Sequence, residues 1–280
     1  MTARTLIGIP PSLAARPVVD ALTADGRFTV AVDVPARIAI RLRERELAAG
    51  ILGLIDFARY GSEYQIVPGA GFSSSAGISA VSLHFGEGLQ DIRSFTADPS
   101  SASEIVLARI ILSESFDLRP TIVPATGPLP GLMARADAAL LHGDDALAAT
   151  AVHSNAIDLV EEWEELAGLP FVHGLWCARE DALTEEQWQA IRRAHESCTE
   201  FIDAAASEAS RHAPLQQVGL DSIRAYLYGI SYVMDEESID AVREFLSYAY
   251  YHGVLSDIPD LHFFGGESRP ADTGEAPPLN

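Results

Sequence analysis

Short apolar runs of β type alternate, along the first part of the chain, with segments whose apolar residues recur at helical spacing. The runs at 5–9, 28–32 and 51–55 are followed by helix-period stretches at 17–24 and 36–49 and by a short helical turn. Such alternation predicts an α/β fold with a largely parallel sheet. The middle repeats the theme, with strands at 92–96, 121–123 and 138–141 and helices at 102–114, near 129–134 and from Asp144. Two long, apolar, β-rich segments, 78–85 and 171–178, border that block and are expected to be the crossings between two lobes. After Thr184 the pattern is helical: 185–211, a segment ending near Tyr228, and 238–251, whose Ile239, Val242, Phe245, Leu246 and Ala249 follow the spacing of one buried face. The expected layout is a first lobe of 1–85 plus 178–264, a second lobe of 86–177 inserted in it, and a tail at 265–280 whose Gly, Pro and acids mark it as disordered. A chain that leaves one lobe, builds another and returns makes a cleft, where small ligands bind.

Charge narrows the choice of ligand. Among the 280 residues, 19 basic against 40 acidic side chains give a net charge of −21, the wrong sign for holding a nucleic-acid backbone. All the basic residues are Arg. Without lysine there is no Schiff-base or P-loop amine. The two cysteines, Cys177 and Cys198, form no CxxC, so neither a disulfide framework nor a thiolate metal site is expected, and a reducing cytoplasm fits. The apolar run at 6–9 is too brief for a secretory signal, and the longest charge-free stretch, 64–85, is too polar to span a bilayer. No membrane contact, metal or cofactor is expected.

Four places can carry chemistry. In the segment 98–104, Ser101 and Glu104 have the Ser-x-x-Glu spacing of a capping box, which puts a helix start there. Its free amides can take a carboxylate with help from Ser100, Ser101 and Ser103; the plainer alternative is that the box caps itself. In the loop 10–17, Ser12, Ala14 and Arg16 lie at the carboxyl end of the first strand, the edge that faces the crevice in open α/β sheets. Arg16 either meets an acidic substrate or pairs with a nearby carboxylate. In the segment 140–147, Asp144 can cap a helix, and His142 can orient a ligand, exchange protons or serve as a hydrogen-bonded structural residue. The Ser/Gly-rich run 69–82, with Ser73 and Ser74, can form an anion-binding nest or two strands and a tight turn. The acids Glu161, Glu162, Glu164 and Glu165 read as a solvated helix face with Trp163 turned inward. There is no HExxH, GxSxG or dinucleotide-binding glycine pattern.

Three segments together resemble the chorismate dehydratase family of the futalosine route to menaquinone. They are Gly143-Asp144-Asp145-Ala146-Leu147, the run Asp158-Leu159-Val160-Glu161-Glu162-Trp163 through Gly168-Leu169-Pro170-Phe171-Val172 to Trp176, and Ala15-Arg16-Pro17. The likeness extends from about Ile7 to Gly253. It implies a two-lobed, type II periplasmic-binding-protein-like fold, here soluble and cytoplasmic, with a small-molecule carboxylate substrate in the central cleft. The implied reaction removes water from chorismate to give 3-[(1-carboxyvinyl)oxy]benzoate without metal or organic cofactor. Aromatisation drives it, and a substrate carboxylate can take the proton, leaving the protein to position and desolvate. Two places depart from the family pattern: Ala14 stands where Asn is usual, and Ser101-Ala102-Ser103-Glu104 stands for Ser-Arg-Thr-Ser. Each lost polar contact is worth about 1–3 kcal/mol. The alternative is a non-catalytic binding protein that keeps the cleft for a neutral or cationic ligand. A sister class with the same fold, releasing dihydroxynaphthoate from a cyclised futalosine, fits the motifs less well. Oligomeric state is left open.

Overall fold

The strand and helix alternation folds into two separate sheets rather than one. The computed structural model describes residues 4–75 and 77–266. In chain order the outer block begins with β1 (Thr5–Ile9), α1 (Arg16–Asp25), β2 (Phe28–Val32), α2 (Pro35–Arg43), β3 (Ala49–Leu52), α3 (Leu54–Ala58) and β4 (Gln65–Ser74). The inserted block comprises β5 (Val81–Phe85), β6 (Ser94–Ala97), α4 (Ala102–Glu114), β7 (Thr121–Pro124), α5 (Leu129–Met133), β8 (Ala138–His142), α6 (Gly143–Thr150), β9 (Ala156–Asp158) and α7 (Leu159–Ala167). The chain returns through β10 (Phe171–Ala178), α8 (Glu185–Ser197), α9 (Ile202–Ala209), α10 (Leu220–Tyr228), β11 (Ile230–Ser231) and α11 (Glu236–Tyr251).

The first sheet runs β11-β4-β10-β3-β1-β2 and the second β7-β6-β8-β5-β9. β1 is parallel to β2 and β3, as the alternation predicts, and β10 enters antiparallel between β3 and β4. The crossings therefore fall between β4 and β5 and between β9 and β10. The segments 78–85 and 171–178 are mostly strand: β5 pairs with β8 and β9 in the second sheet, β10 with β3 and β4 in the first. The lobe limits move accordingly, from 85 and 178 to the gaps before β5 and before β10. An apolar, β-rich run is the pattern of a strand buried on both faces, whereas a crossing needs polar turn residues. The tail at 265–280 lies outside the described residues except for Gly265 and Gly266.

Local chemistry sets the ends of the elements. Asp158 caps α7 by accepting from Val160 and Glu161 N–H, and Gly168, with φ 68°, ends the helix in the left-handed conformation that lacks a Cβ penalty. Thr184 and Gln187 form a capping box at α8. The helix expected at 36–49 stops at Arg43, and the one expected at 185–211 breaks at 198–201 before α9. Gly8 and Gly50 lie opposite each other in the β1–β3 ladder and seat Ile38 of α2 between them. A Cβ on Gly8 would lie 2.7 Å from the Leu47 side chain and 2.9 Å from Ile38, which closes the seat.

Buried apolar residues of both sheets join in one continuous core, and a smaller cluster lies under α5 and α6. Trp163 of α7 packs the two blocks together: its ring meets Phe245 and Tyr248 of α11 edge-on at 5.8 and 5.6 Å. Its Nε1 donates to Pro170 O at 3.2 Å. Trp163 is thus turned inward, as the acid run around it suggests. Deeper in the first block, Trp176 Nε1 donates to His195 Nε2 at 2.6 Å, so His195 Nδ1 carries the ring proton and donates to Tyr232 O at 2.8 Å. Cys177 and Cys198 are buried free thiols. No helix among the described residues is long and apolar enough to cross a membrane.

Candidate functional site

The facing ends of the two sheets meet at a polar seam. From the first block come the loop after β1, the Gly53 turn before α3, the end of β4 and the start of β10; from the inserted block come the starts of α4 and α6 and the end of β8. Two hydrogen bonds bridge the blocks directly. Leu13 N–H donates to Asp144 Oδ1 at 2.8 Å, and Ile55 N–H donates to Ser103 Oγ at 3.1 Å. Gly53 permits the second contact, since a Cβ there would stand 2.7 Å from Ser103 Oγ. Amides that would receive an acid are thus already held, in this state, by side chains of the opposite block.

Two serine–histidine pairs flank these bridges. Ser101 Oγ and His142 Nε2 share a hydrogen bond of 2.6 Å, and Ser74 Oγ and His173 Nε2 share one of 2.7 Å. Burial pushes His173 down to about 4, and a charge on the neighbouring His142 would push it further the same way. His173 is therefore neutral at physiological pH, while His142 stands exposed at the end of β8. Asp144 has its carboxyl raised, chiefly by burial; the Leu13 amide opposes this and Asp145 adds to it. Tyr226 of α10 is buried, and its phenol is pushed up by burial and then by Asp144.

The structure rearranges several expectations. α4 does begin after Ser101, but no side chain caps it: the Ser101 hydroxyl is committed to His142, so the Ser101–Glu104 box does not form. Glu104 lies near α3 instead, where it raises the carboxyl of buried Asp56, a group already raised by burial and lowered by Arg59. Asp144 sits in the first turn of α6 without capping it, because its oxygen accepts from Leu13. Arg16 is the first residue of α1 and pairs with Asp20 at 2.9 Å. Its side chain is 54% exposed, so it meets a carboxylate of its own helix rather than the seam. Ser100 N–H and Oγ both donate to Asp98 Oδ1 at 2.8 Å. Ser12 Oγ accepts from Ala15 N–H at 3.3 Å, a turn within the β1 loop, and Ala14 packs half-buried against the core. Ser73 is buried beside Ser74, and its backbone lies in the ladders with Val172 and Ser231, so within this run 69–74 and 81–82 belong to strands of two different sheets and Ser73 and Ser74 are ladder residues.

Of the ten candidate positions, Ser74, Ser101, Ser103, His142 and Asp144 come together at the seam. His173 and Tyr226 were not read from the sequence. His173 had a signal: it is the one ionisable side chain in the otherwise apolar β10 run Phe171-Val172-His173-Gly174-Leu175-Trp176. Tyr226 had none, since nothing local distinguishes it from a core tyrosine. No group of three or more His, Cys, Asp or Glu among the described residues is placed to hold a metal.

Comparison with known proteins fits this geometry. Residues 5–251 match a family model described as menaquinone biosynthesis. Among solved structures, a protein from Archaeoglobus fulgidus aligns with TM-score 0.68 at 16% identity, over 90% of this chain and 98% of that one. The alkanesulfonate-binding protein SsuA from Xanthomonas axonopodis pv. citri, bound to MOPS, aligns with TM-score 0.66 at 13% identity, over 91% and 95%. A Candida albicans protein described as having the generic periplasmic binding protein fold gives 0.64 at 9%, over 91% and 92%. At such identities the likeness shows the fold: α/β, two-lobed, of periplasmic-binding-protein type.

Proposed function

The chain belongs to the menaquinone biosynthesis family, and on that premise we propose that it is a lyase that removes water from chorismate to give 3-[(1-carboxyvinyl)oxy]benzoate. The observation that carries this reading is the convergence of Ser101–His142 and Ser74–His173, one pair from each sheet, at the seam between the lobes. In the elimination, the ring carbon bearing the enolpyruvyl ether loses its proton and the adjacent carbon loses its hydroxyl group. In this reading His142, held by Ser101, hands a proton to the departing hydroxyl, which leaves as water. The proton abstracted from carbon passes to the substrate's own carboxylate and then restores His142, so nothing else is consumed. Neutral His173 and the Ser74 hydroxyl orient a carboxylate by hydrogen bonding without adding charge. Closure of the lobes excludes water and fixes the reacting geometry. The compartment proposed is the cytoplasm.

A second reading has its own observation. The amides of Leu13 and Ile55 are claimed by Asp144 and Ser103, and Glu104 adds negative charge close by. That favours a non-catalytic binding protein for a neutral or cationic ligand. Incubation with chorismate followed by mass spectrometry separates the two. Loss of one water supports the lyase, and unchanged chorismate at high protein concentration rejects it. Thermal stabilisation by amines or nucleosides, with none by chorismate, then favours the binder.

A further inference from the structure

β2 closes the first sheet and has a neighbour on one side only. In its parallel ladder with β1, Asp33 N–H donates to Ile9 O at 3.2 Å, and Arg27 O accepts from Thr5 N–H at 3.0 Å. Alternate residues of a strand turn both backbone groups to the same side. Thr29 and Ala31 therefore face β1 with these two, while Phe28, Val30 and Val32 turn their N–H and C=O groups outward. Natural edge strands are commonly guarded by a charged side chain, a proline or a bulge. Phe28-Thr29-Val30-Ala31-Val32 has no charge and no proline, and its register with β1 runs unbroken. Beside it Val32, Val34 and Ile40 are 61%, 41% and 51% exposed, three of the eight large apolar side chains exposed among the described residues.

We propose that this edge pairs with β2 of a second copy of the chain, antiparallel about a two-fold axis at Val30. In that register Phe28 lies opposite Val32 of the second copy and Val30 opposite its counterpart, so every outward N–H and C=O of β2 finds a partner. The residues flanking the strand choose the same register. Arg27 lies opposite Asp33 of the second copy, and Asp33 opposite its Arg27, at the positions where side chains approach most closely. A slip of two residues either way loses a hydrogen-bonded pair and both charge pairs. Re-pairing exchanges long ion pairs of 3.3–3.5 Å, to Asp25 and Glu186 for Arg27 and to Arg37 and Arg41 for Asp33, while Asp33 Oδ1 can keep the Val34 N–H it accepts at 3.0 Å. The exposed valines and Ile40 supply the apolar share of the interface.

Sedimentation of the full chain from micromolar to millimolar concentration is expected to show a reversible dimer. Val30→Pro removes an outward N–H and no bond to β1, and is expected to give a monomer with an unchanged far-ultraviolet spectrum. Asp33→Arg is expected to weaken the dimer about tenfold or more, and adding Arg27→Asp to restore it, a rescue that loss of folding cannot mimic. Val30→Cys is expected to cross-link copies under oxidation, since Cα atoms across such a pair are about 5.5 Å apart and the native thiols are buried. A monomer throughout the concentration range overturns the proposal. So does a dimer that ignores Val30→Pro and the charge swap.

Discussion

Leu13, in the loop after the first strand, gives its backbone N–H to a carboxylate 131 residues further along the chain, Asp144 Oδ1, at 2.8 Å. The bond joins the two lobes directly. Asp144→Ala leaves that amide without its partner, and the expected loss of stability in denaturant unfolding is about 1–3 kcal/mol. Asp144→Asn keeps an acceptor oxygen and is expected to lose less than half as much. Equal losses in the two variants would mean that the contact does not hold the lobes closed.

Acid should loosen the fold through histidines. His84, His173 and His195 are each pushed down by burial to about 4, below the ordinary value near 6.5. A group depressed in the folded state binds its proton more readily when unfolded. Its contribution is therefore complete above about 6.5 and is lost as pH falls through about 4. Asp56 and Asp144, whose carboxyls are raised, act with the opposite sign and soften the lower end of the loss. Melting temperature measured against pH is expected to fall across this window, and His195→Gln to flatten part of the fall. A flat profile from pH 7 to 4 would contradict the burial of neutral imidazoles.

The proposed lyase role of the His173 pair has a test that separates chemistry from folding. The Ser74–His173 bond is part-buried, and replacing both partners of such a bond by apolar groups of similar shape costs little stability. The double variant Ser74→Ala with His173→Phe is thus expected to melt close to the parent. Its kcat/KM for chorismate is expected to fall roughly 10- to 100-fold, about 1.4–2.7 kcal/mol of transition-state binding. Unchanged turnover would remove His173 from the reaction.

Charge at the start of α4 should tune the affinity for an acid. Ala102→Arg with Glu104→Ser gives Ser-Arg-Ser-Ser, which differs from the resembled pattern in one hydroxyl residue, and removes a carboxylate that raises Asp56. KM for chorismate is expected to drop about tenfold with kcat little changed, the mark of uniform binding. An unchanged or higher KM would show that this helix start does not face the substrate.

Much of the fold was legible because hydrophobic period is a local signal. The expected limits of α4 and the inward turn of Trp163 hold, and of the face expected for α11, Val242, Phe245, Leu246 and Ala249 are buried while Ile239 is only half-buried. Lobe membership was less legible. β5 and β10 carry the same apolar pattern whichever sheet receives them, and pairing partners are chosen by topology. The site was read in half for a related reason. Sequence placed Ser101, His142 and Asp144 at helix starts and strand ends, and assigned two of them to caps. It had no means of seeing that Ser101 prefers an imidazole 41 residues away, or that Asp144 prefers an amide of the other lobe. Arg16 was the reverse case: Asp20 stands one helical turn ahead, and that local ion pair decided its direction.

Asp158 does two things with one carboxylate. While one oxygen caps α7, the other accepts from Ser79 N–H at 2.9 Å, on the segment that leads out to the inserted block. The outgoing and returning straps are thereby tied to each other and to a helix end. Separating the straps breaks either the Ser79 bond or the cap of α7, so the connections cannot part without giving up one of them. One side chain thus sets the spacing of the two connections between the lobes and the start of a helix together.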